Sequence, residues 1–311
     1  MLRETLLRAS RSRQLRGLIE TMPVSRAVVR RFVAGLDDDA VLTKALALTA
    51  DGLRVTVDHL GEDTTDAGDA RAVCDTYVKL LERLAESGLA DGGKVEVSVK
   101  LSALGQAIEP DGEAMALAHA REICAAAERA GTTVTLDMED HTTTDSTLQI
   151  LRELRTEYPW VGAVLQAYLR RTEQDCRELS GPGSRVRLCK GAYDEPDEVA
   201  YTDPFEVDRS FVRCLSILME GKGYPMVATH DPRLIDIAAA VAVRNARTQG
   251  SYEFQMLYGV RPDEQRKLAA RGETVRVYVP YGREWYGYLM RRLAERPANV
   301  TFFVRSLVSR G

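Results

Sequence analysis

VTL at residues 134–136 and VRVYV at residues 275–279 are short runs that are nearly all apolar on both faces of an extended chain. Strands of that composition are covered on each side, which is typical of parallel sheets. Eight such runs alternate along the chain with longer segments whose apolar residues recur at helical spacing. The predicted strands span residues 54–60, 95–101, 133–138, 163–167, 186–189, 226–229, 253–257 and 275–279.

Helix signals separate these strands. Gly131 follows a helical segment at 112–130, where a left-handed glycine can end the helix. Asp231 and Pro232 supply an N-cap and an N1 proline for a helix predicted over 234–247. Strands and helices in this alternation predict an α/β fold of the (β/α)8 TIM-barrel class. A doubly wound sheet would also alternate, but a Gly-rich phosphate loop would more often follow its first strand, and none does.

The chain divides into two predicted parts. Residues 1–52 carry only helical patterns and form an N-terminal helical arm, and residues 53–311 form the catalytic barrel domain. The basic segment 1–17 has the composition of a mitochondrial transit peptide. Apolar residues continue at helical spacing beyond it, which favours instead a basic amphipathic helix of the mature fold. No linker or low-complexity segment indicates a further domain.

Composition excludes several functions. The chain has 311 residues and a formal net charge of −4, whereas a nucleic-acid-binding protein usually carries a basic stripe. Its five cysteines are widely spaced without a CxxC pair, so we expect neither disulfides nor a zinc site. A reducing compartment and a cytoplasmic location follow. The apolar segment 300–308 would suit peripheral docking on the inner membrane, although packing against the barrel is the simpler explanation.

Polar side chains gather at the predicted carboxyl ends of the strands. Lys100 ends the second strand, Asp137 follows the core of the third, Lys190 follows the fifth and His230 follows the sixth. Catalytic groups of such barrels lie at that end. A buried charge costs several kcal/mol unless it is paired or used. Because seven of the eight strands supply a polar group there, an active site explains the pattern better than structural ion pairs.

The last predicted helix carries a second cluster. Tyr288 lies three and four residues before Arg291 and Arg292, which puts the three side chains on one helical face. Adjacent arginines beside a tyrosine suit a bidentate clamp on a carboxylate. A solvated basic stripe on an outer helix is the alternative, and composition alone slightly favours it.

Eight segments in this order resemble the proline dehydrogenase family: VSVKLSALG, LDMEDH, VLQAYLRR, RLCKGAYDE, ATHD, YEFQMLYG, VYVPYG and YLMRRLAE. The resemblance runs from about residue 54 to residue 306, and the length resembles the monofunctional bacterial form. It implies oxidation of L-proline to Δ1-pyrroline-5-carboxylate by hydride transfer to FAD, the first step of proline catabolism to glutamate. It also implies a membrane quinone as electron acceptor and a Δ1-pyrroline-5-carboxylate dehydrogenase as a partner.

The resemblance implies a substrate site built from both polar clusters. Three cations bind the carboxylate of proline and three other side chains surround its ring. The cations come first in this list: Lys100, Arg291, Arg292, Leu257, Tyr278 and Tyr288. Glu62 pairs with Arg291 as a gate. The last helix then lies over the barrel mouth, since on an outer helix its arginines would be too far from the substrate.

The resemblance also implies how FAD is held. Asp137 keeps Lys100 or a network beside the substrate in place, and Arg187 lies near N5 of the flavin; these two are the implied catalytic residues. Thr202 is a weaker match, and Asp194 stands where the family often has an aromatic residue. The implied FAD contacts are Met138, Gln166, Arg187, Lys190, Gly191, Ala192, Thr202, Thr229 and His230.

Three other functions stay open on the residues alone. A Schiff-base aldolase would use Lys100 or Lys190, because such nucleophiles occur at strand ends. A non-catalytic scaffold would leave the charged strand ends without a purpose. A metal-dependent barrel is disfavoured, and we expect no metal, because the four histidines show no HxH or HExxH spacing. The ligands of that alternative would be Asp140, His141, His230 and Asp231.

Overall fold

The computed structural model describes residues 29–295. Eight parallel strands close into a barrel, in which each strand pairs with the next along the chain and the eighth pairs with the first. The predicted (β/α)8 class is therefore confirmed, and every predicted strand is present within two residues at either end. The strands are β1 (Arg54–His59), β2 (Val95–Val99), β3 (Val134–Leu136), β4 (Gly162–Gln166), β5 (Arg185–Cys189), β6 (Tyr224–Ala228), β7 (Glu253–Leu257) and β8 (Val275–Tyr281).

Helices precede, connect and follow these strands. They are α1 (Asp38–Ala50), α2 (Ala67–Glu86), α3 (Gly112–Ala130), α4 (Thr144–Glu157), α5 (Thr172–Leu179), α6 (Pro204–Glu220), α7 (Pro232–Arg244), α8 (Pro262–Ala270) and α9 (Trp285–Glu295). The predicted N-cap of α7 and the predicted C-terminal glycine of α3 are both present. Asp231 caps α7 by accepting a hydrogen bond from the backbone N–H of Arg233 at 3.0 Å. Gly131 ends α3 in the left-handed conformation with φ 75°.

One helix is shorter than predicted. The pattern over residues 234–247 extends past Arg244, where α7 ends. Ala246 then turns the chain in the left-handed conformation with φ 52°. Arg247 leaves the helix and donates to four backbone carbonyls at and beyond the end of α6, at 2.7–3.1 Å. The last carbonyls of a helix have no partner within that helix. Hydrogen bonds from Arg247 to the carbonyls at the end of α6 therefore decide the position of Arg247, and α7 ends before it.

The described part of the N-terminal arm packs on the barrel. Val41, Leu42 and Ala45 of α1 are buried in the same apolar core as the strands. Phe32 packs in a second cluster with residues of α9. The proposed boundary at residue 52 stays a prediction. The basic segment 1–17 and the apolar segment 300–308 lie outside the described residues.

The interior of this barrel contains charged side chains, whereas most barrels of this class are filled by branched apolar side chains. At the amino-terminal end, Glu96 is fully buried with one carboxylate oxygen 2.6 Å from Arg185. Its other oxygen lies 3.7 Å from Nε of Arg276, which also lies 2.8 Å from Glu253. Alternate residues of a strand share one face, so the residues two positions further along these strands point inward nearer the mouth.

Glu96 depends on its cationic neighbours. Burial raises the pKa of a carboxyl, but Arg185, Arg276 and Arg187 outweigh that effect and hold the pKa of Glu96 well below its usual range. The carboxylate is therefore ionised, and it is the counter-charge for several guanidinium groups at the base of the barrel.

We expect Glu96→Gln to lower the free energy of unfolding by about 3 kcal/mol, because it removes the negative charge that pairs with Arg185 and helps to neutralise Arg276 and Arg187. Urea unfolding at neutral pH measures this. A carboxylate with a depressed pKa loses its contribution to stability as the pH falls, so the difference between the two proteins should shrink below about pH 4. Glu178→Gln is the control, since Glu178 pairs with Arg152 at the surface and should change stability by at most about 0.5 kcal/mol. Equal unfolding midpoints for Glu96→Gln and wild type would contradict the role given to Glu96.

Candidate active site

Lys100 is a buried cation at the mouth of the barrel. It follows β2 directly, and its Nζ lies 2.9 Å from both carboxylate oxygens of Asp58 on β1. Asp137 is a second neighbour, with Oδ2 at 3.7 Å. Burial by itself lowers the pKa of Lys100, but the two carboxylates outweigh it and raise the pKa above its ordinary value. Asp137 thus lies beside Lys100 as predicted, although Asp58 is the main partner.

Asp137, directly after β3, joins residues from three other strands. Its Oδ1 accepts hydrogen bonds from Nη1 of Arg187 at 2.6 Å and from Oγ of Ser98 at 2.8 Å. Its Oδ2 accepts one from the hydroxyl of Tyr278 at 2.7 Å. Arg187 also donates to Gln255 at 2.5 Å and lies 5.2 Å from the ring centre of Tyr278. One carboxylate therefore fixes the guanidinium and the phenol side by side in the interior.

Arg291 of α9 lies across the mouth. Its Nη1 is 2.7 Å from Oε1 of Glu62, in the loop after β1. Its guanidinium carbon is 5.6 Å from the ring centre of Tyr193, in the loop after β5. The first and fifth strands stand on opposite sides of an eight-stranded barrel, so a side chain that contacts both loops lies over its centre. The predicted position of the last helix over the mouth is confirmed, and the outer basic stripe is not what the chain builds.

Arg292 and Tyr288 complete the face of α9 identified from their spacing. The guanidinium carbon of Arg292 lies 5.1 Å from the ring centre of Tyr288. Tyr288 is 5% exposed and packs in the cluster that includes Leu60 of the loop after β1. The contact between Glu62 and Arg291 is present, while its action as a gate stays a prediction, as do the substrate contacts of all these residues.

Most of the predicted FAD contacts lie at or just after the ends of β3 to β6; the exceptions are Arg187, within β5, and Thr202, beside the N-cap of α6. Gln166 is buried, and its Nε2 donates to the backbone carbonyl of Glu139 at 2.7 Å. Met138 is also buried, one residue before Glu139. Thr229 accepts through Oγ1 from the backbone N–H of Asp231 at 3.1 Å. These short links fix polar groups on the side of the mouth formed by β3 to β6.

His230 and Lys190 have their own partners on that side. Nε2 of His230 accepts from the backbone N–H of Leu257 at 2.8 Å, which joins the ends of β6 and β7. Lys190 contacts Asp208 and lies 3.7 Å from Asp231. The lysine therefore reaches outward between α6 and α7, whose N-termini carry those carboxylates.

Gly191 and Ala192 lie in a tightly held loop. Gly191 has φ 113°, and a Cβ there would lie 2.3 Å from the ring of Tyr168. The hydroxyl of Tyr168 donates to Glu195 at 3.1 Å, and Glu195 also accepts from the backbone N–H of His141 at 3.0 Å. Thr202 lies at the far end of the same connection, exposed directly before the N-cap of α6, and its role at FAD stays a prediction without a supporting contact.

Five residues of the site were not among the predicted ones. Asp58 was detectable, because it is an acidic residue near the end of the one strand for which no polar end residue was considered. Tyr193 was also detectable as the last residue of the KGAY segment. Glu139 and Gln255 belong to the polar strand ends predicted to converge at the mouth, although no role was assigned to them. Ser98 carries no signal in the sequence, because its partners lie far along the chain. The five residues are Asp58, Ser98, Glu139, Tyr193 and Gln255.

No metal-binding constellation exists among residues 29–295, where no group of three or more His, Cys, Asp or Glu side chains could hold an ion. His141 instead contacts Glu195. In the same part of the chain, no helix has the length and apolar character needed to cross a membrane.

Comparison with known proteins gives one family. The family model described as proline dehydrogenase matches residues 41–305. The chain is similar to a proline dehydrogenase of Deinococcus radiodurans, with 41% identity over 283 residues and 90% of each chain covered. It is also similar to proline dehydrogenase 1 of Bacillus subtilis strain 168, with 36% identity over 310 residues and 100% of each chain covered.

A solved structure agrees with the fold. Proline utilization A from Bdellovibrio bacteriovorus, inactivated by N-propargylglycine, matches with a TM-score of 0.81 and 26% identity. The match covers 92% of this chain and 34% of that one, so this chain spans about a third of its length.

We expect Gly191→Ala to lower the free energy of unfolding by about 2 kcal/mol or more, because both the positive φ and the Tyr168 ring oppose a side chain there. Urea unfolding measures the change. Gly181→Ala is the matched control, since no atom lies within 4 Å of a Cβ at that turn position, and it should stay within about 0.5 kcal/mol of wild type. A Gly191→Ala protein as stable as the control would show that the loop is not tightly packed.

Proposed function

Because the chain belongs to the proline dehydrogenase family of oxidoreductases, we propose that it oxidises L-proline to Δ1-pyrroline-5-carboxylate with FAD as the hydride acceptor. One observation carries the proposal: a buried lysine lies within the mouth while an arginine of α9 spans that mouth from above. Lys100 and Arg291 both interact electrostatically with Glu62. A small acid that enters between them would meet positive charge from both sides.

The carboxylate of proline suits this arrangement. Arg291 and Arg292 offer planar guanidinium groups that can bind a carboxylate in a bidentate manner. Lys100 offers a third positive charge whose position is set by Asp58. Three cations around one carboxylate fix the orientation of the attached ring, and such positioning is worth several kcal/mol of the barrier.

The ring of proline would then lie against the aromatic and aliphatic side chains of the mouth. Tyr278 is fixed through its hydroxyl by Asp137, and Tyr288 of α9 is fixed by its packing in the cluster that includes Leu60. Leu257 ends β7, with its backbone N–H bound to His230. The apolar faces of these side chains exclude water from the carbon that loses hydride. Inactivation of the Bdellovibrio protein by N-propargylglycine, an N-substituted amino acid, supports a substrate of this class.

The residues on the β3–β6 side suit a flavin. Gln166, Thr229 and His230 provide neutral hydrogen-bonding groups, Met138 provides a polarisable thioether, and Arg187 provides a buried cation. A flat ring with polar edges requires that mixture, and FAD, when bound, supplies the two-electron acceptor that no side chain can provide. Lys190 lies beside carboxylates at the N-termini of α6 and α7 and would meet the diphosphate. Arg187 would place a positive charge close to the reacting edge of the ring.

Ion pairing disfavours an aldolase. A Schiff-base lysine must lose its proton to attack a carbonyl. The carboxylates of Asp58 and Asp137 raise the pKa of Lys100, and Lys190 contacts Asp208. Lys100 is therefore stabilised as an ammonium ion, and the amine of Lys190 is occupied by a carboxylate.

Two further assignments rest on the family resemblance alone. The electrons would pass to a membrane quinone, and the product would pass to a Δ1-pyrroline-5-carboxylate dehydrogenase. Turnover with a soluble quinone analogue, compared with turnover under oxygen alone, tests the first of these.

We expect the purified protein to be yellow and to lose its visible flavin absorbance when L-proline is added without oxygen. Absorbance spectra between about 350 and 550 nm measure this. D-Proline, whose carboxylate projects from the opposite face of the ring, serves as the control and should bleach the protein far more slowly. A protein that binds no flavin when FAD is supplied would overturn the proposal.

We expect Arg291→Met and Arg292→Met to raise the apparent KM for proline at least tenfold while FAD stays bound, because each removes one cation from the carboxylate clamp. Steady-state kinetics and flavin-to-protein ratios measure the two effects. Arg152→Met is the control, since Arg152 lies exposed on α4 and should keep wild-type kinetics. Unchanged KM values in both clamp variants would remove these arginines from the clamp.

A further inference from the structure

The loop that carries Glu62 is held in an unusual backbone conformation. Asp63, the next residue, has φ 55°, which is the left-handed region that favours glycine. A residue with a Cβ in this region carries a conformational cost of about 1 kcal/mol or more. It persists only where the surroundings impose it, and the direction of Glu62 towards Arg291 depends on the same turn.

Ser102 holds the backbone at this turn. Its Oγ accepts a hydrogen bond from the backbone N–H of Asp63 at 3.1 Å. Its backbone carbonyl accepts one from the N–H of Thr64 at 3.2 Å. Ser102 begins a short 3₁₀ turn after β2 and is 5% exposed. Two bonds from one buried residue thus hold the backbone directly after Glu62.

Glu139 holds Ser102 in turn. The hydroxyl of Ser102 donates to Oε1 of Glu139 at 2.6 Å, and its backbone N–H donates to Oε2 at 3.1 Å. Glu139 lies in the loop after β3 and is 7% exposed. Burial raises the pKa of Glu139 to about 7, and Glu62 adds to the rise while Ser102 opposes it. No cation within 4 Å pairs with Glu139 in the described part of the chain. The hydrogen bond from the Ser102 hydroxyl opposes the rise in the pKa of Glu139 most strongly, followed by the attraction of Lys100 and the bond from the Ser102 backbone N–H.

The chemistry of a hydroxyl explains why an acceptor is needed behind Ser102. A serine hydroxyl has one proton and two lone pairs. When that proton is directed to Glu139, a lone pair faces the N–H of Asp63. Both carboxylate oxygens accept, so Glu139 receives the hydroxyl and the backbone N–H of Ser102 together. A glutamine would present an NH2 group to one of these donors and would lose a bond.

We propose that Glu139 and Ser102 are positioning residues that hold the loop after β1, so that Glu62 reaches Arg291 over the substrate. The chain of contacts runs from the end of β3 through the turn after β2 to the loop after β1. The inference rests on the proposed function only where it concerns proline, since the backbone contacts exist without it.

Two variants of the full-length, FAD-loaded protein test this: Ser102→Ala and Glu139→Gln. Hydrogen–deuterium exchange of a peptide covering residues 61–66 measures directly how firmly Ser102 and Glu139 hold the backbone after Glu62. We expect exchange there to rise about tenfold in both variants, because the Asp63 amide loses or weakens its acceptor. The apparent KM for proline should rise about threefold to tenfold with kcat within twofold of wild type, since the loop closes over substrate without contacting the reacting atoms.

A double-mutant cycle separates positioning from general structural damage. In the Glu62→Gln background, adding Glu139→Gln should produce no further rise in KM, because the carboxylate that Ser102 and Glu139 position against Arg291 is already absent. Ser184→Ala is the matched control. Ser184 is a buried serine at the start of β5, at the other end of the barrel, and accepts from Arg155 at 2.9 Å. It should leave both KM and the exchange of residues 61–66 unchanged.

Wild-type exchange over residues 61–66 in both variants would overturn the proposal, and so would equal increases in KM with and without Glu62. If Glu139→Gln does not fold, Ser102→Ala carries the same expectations alone. Wild-type protein that fails to oxidise proline would refute the proposed function, while the exchange experiment would still decide whether Ser102 and Glu139 hold the loop.

Discussion

A charge inside a closed barrel must be paired, and that requirement organises this protein from base to mouth. Glu96 neutralises guanidinium groups at the base, Asp137 neutralises Arg187 halfway up, and Asp58 neutralises Lys100 at the top. Each pair joins different strands, so each also fixes the register and closure of the sheet. A barrel filled by branched aliphatic side chains would close as well, but it would present no oriented charge at its mouth.

The mouth has two chemically different sides. The ends of β1 and β2, together with α9, supply cations and aromatic rings. The β3–β6 side supplies mainly neutral hydrogen-bonding groups and a thioether, together with Arg187 within β5 and Lys190 directly after it. A substrate with a carboxylate and a flat cofactor can lie face to face across such a division. Electrostatic preorganisation is strongest where water is excluded, and Arg291 of α9 contacts loops on both sides of the mouth.

The loops of the mouth are held from outside the substrate space. Glu195 bonds the loop that contains Gly191 to the loop after β3, and His230 bonds the end of β6 to that of β7. Ser102 and Glu139 extend the same principle to the loop after β1. Because bonds between neighbouring loops already hold the backbone of the mouth in place, few side chains that face the proposed substrate space are needed to position one another.

Local signals in the sequence determined the strands, the helix caps and the class of barrel, because periodicity and capping depend on residues close together along the chain. The strand ends also identified Lys100, Asp137 and Arg187 as parts of one site. The position of α9 over the barrel mouth could not follow from the spacing of its residues, and only the family resemblance suggested it. The pairing of Lys100 with Asp58, and the hold of Glu139 on Ser102, were decided by the tertiary structure, since these partners lie 42 and 37 residues apart and meet only when neighbouring strands close side by side.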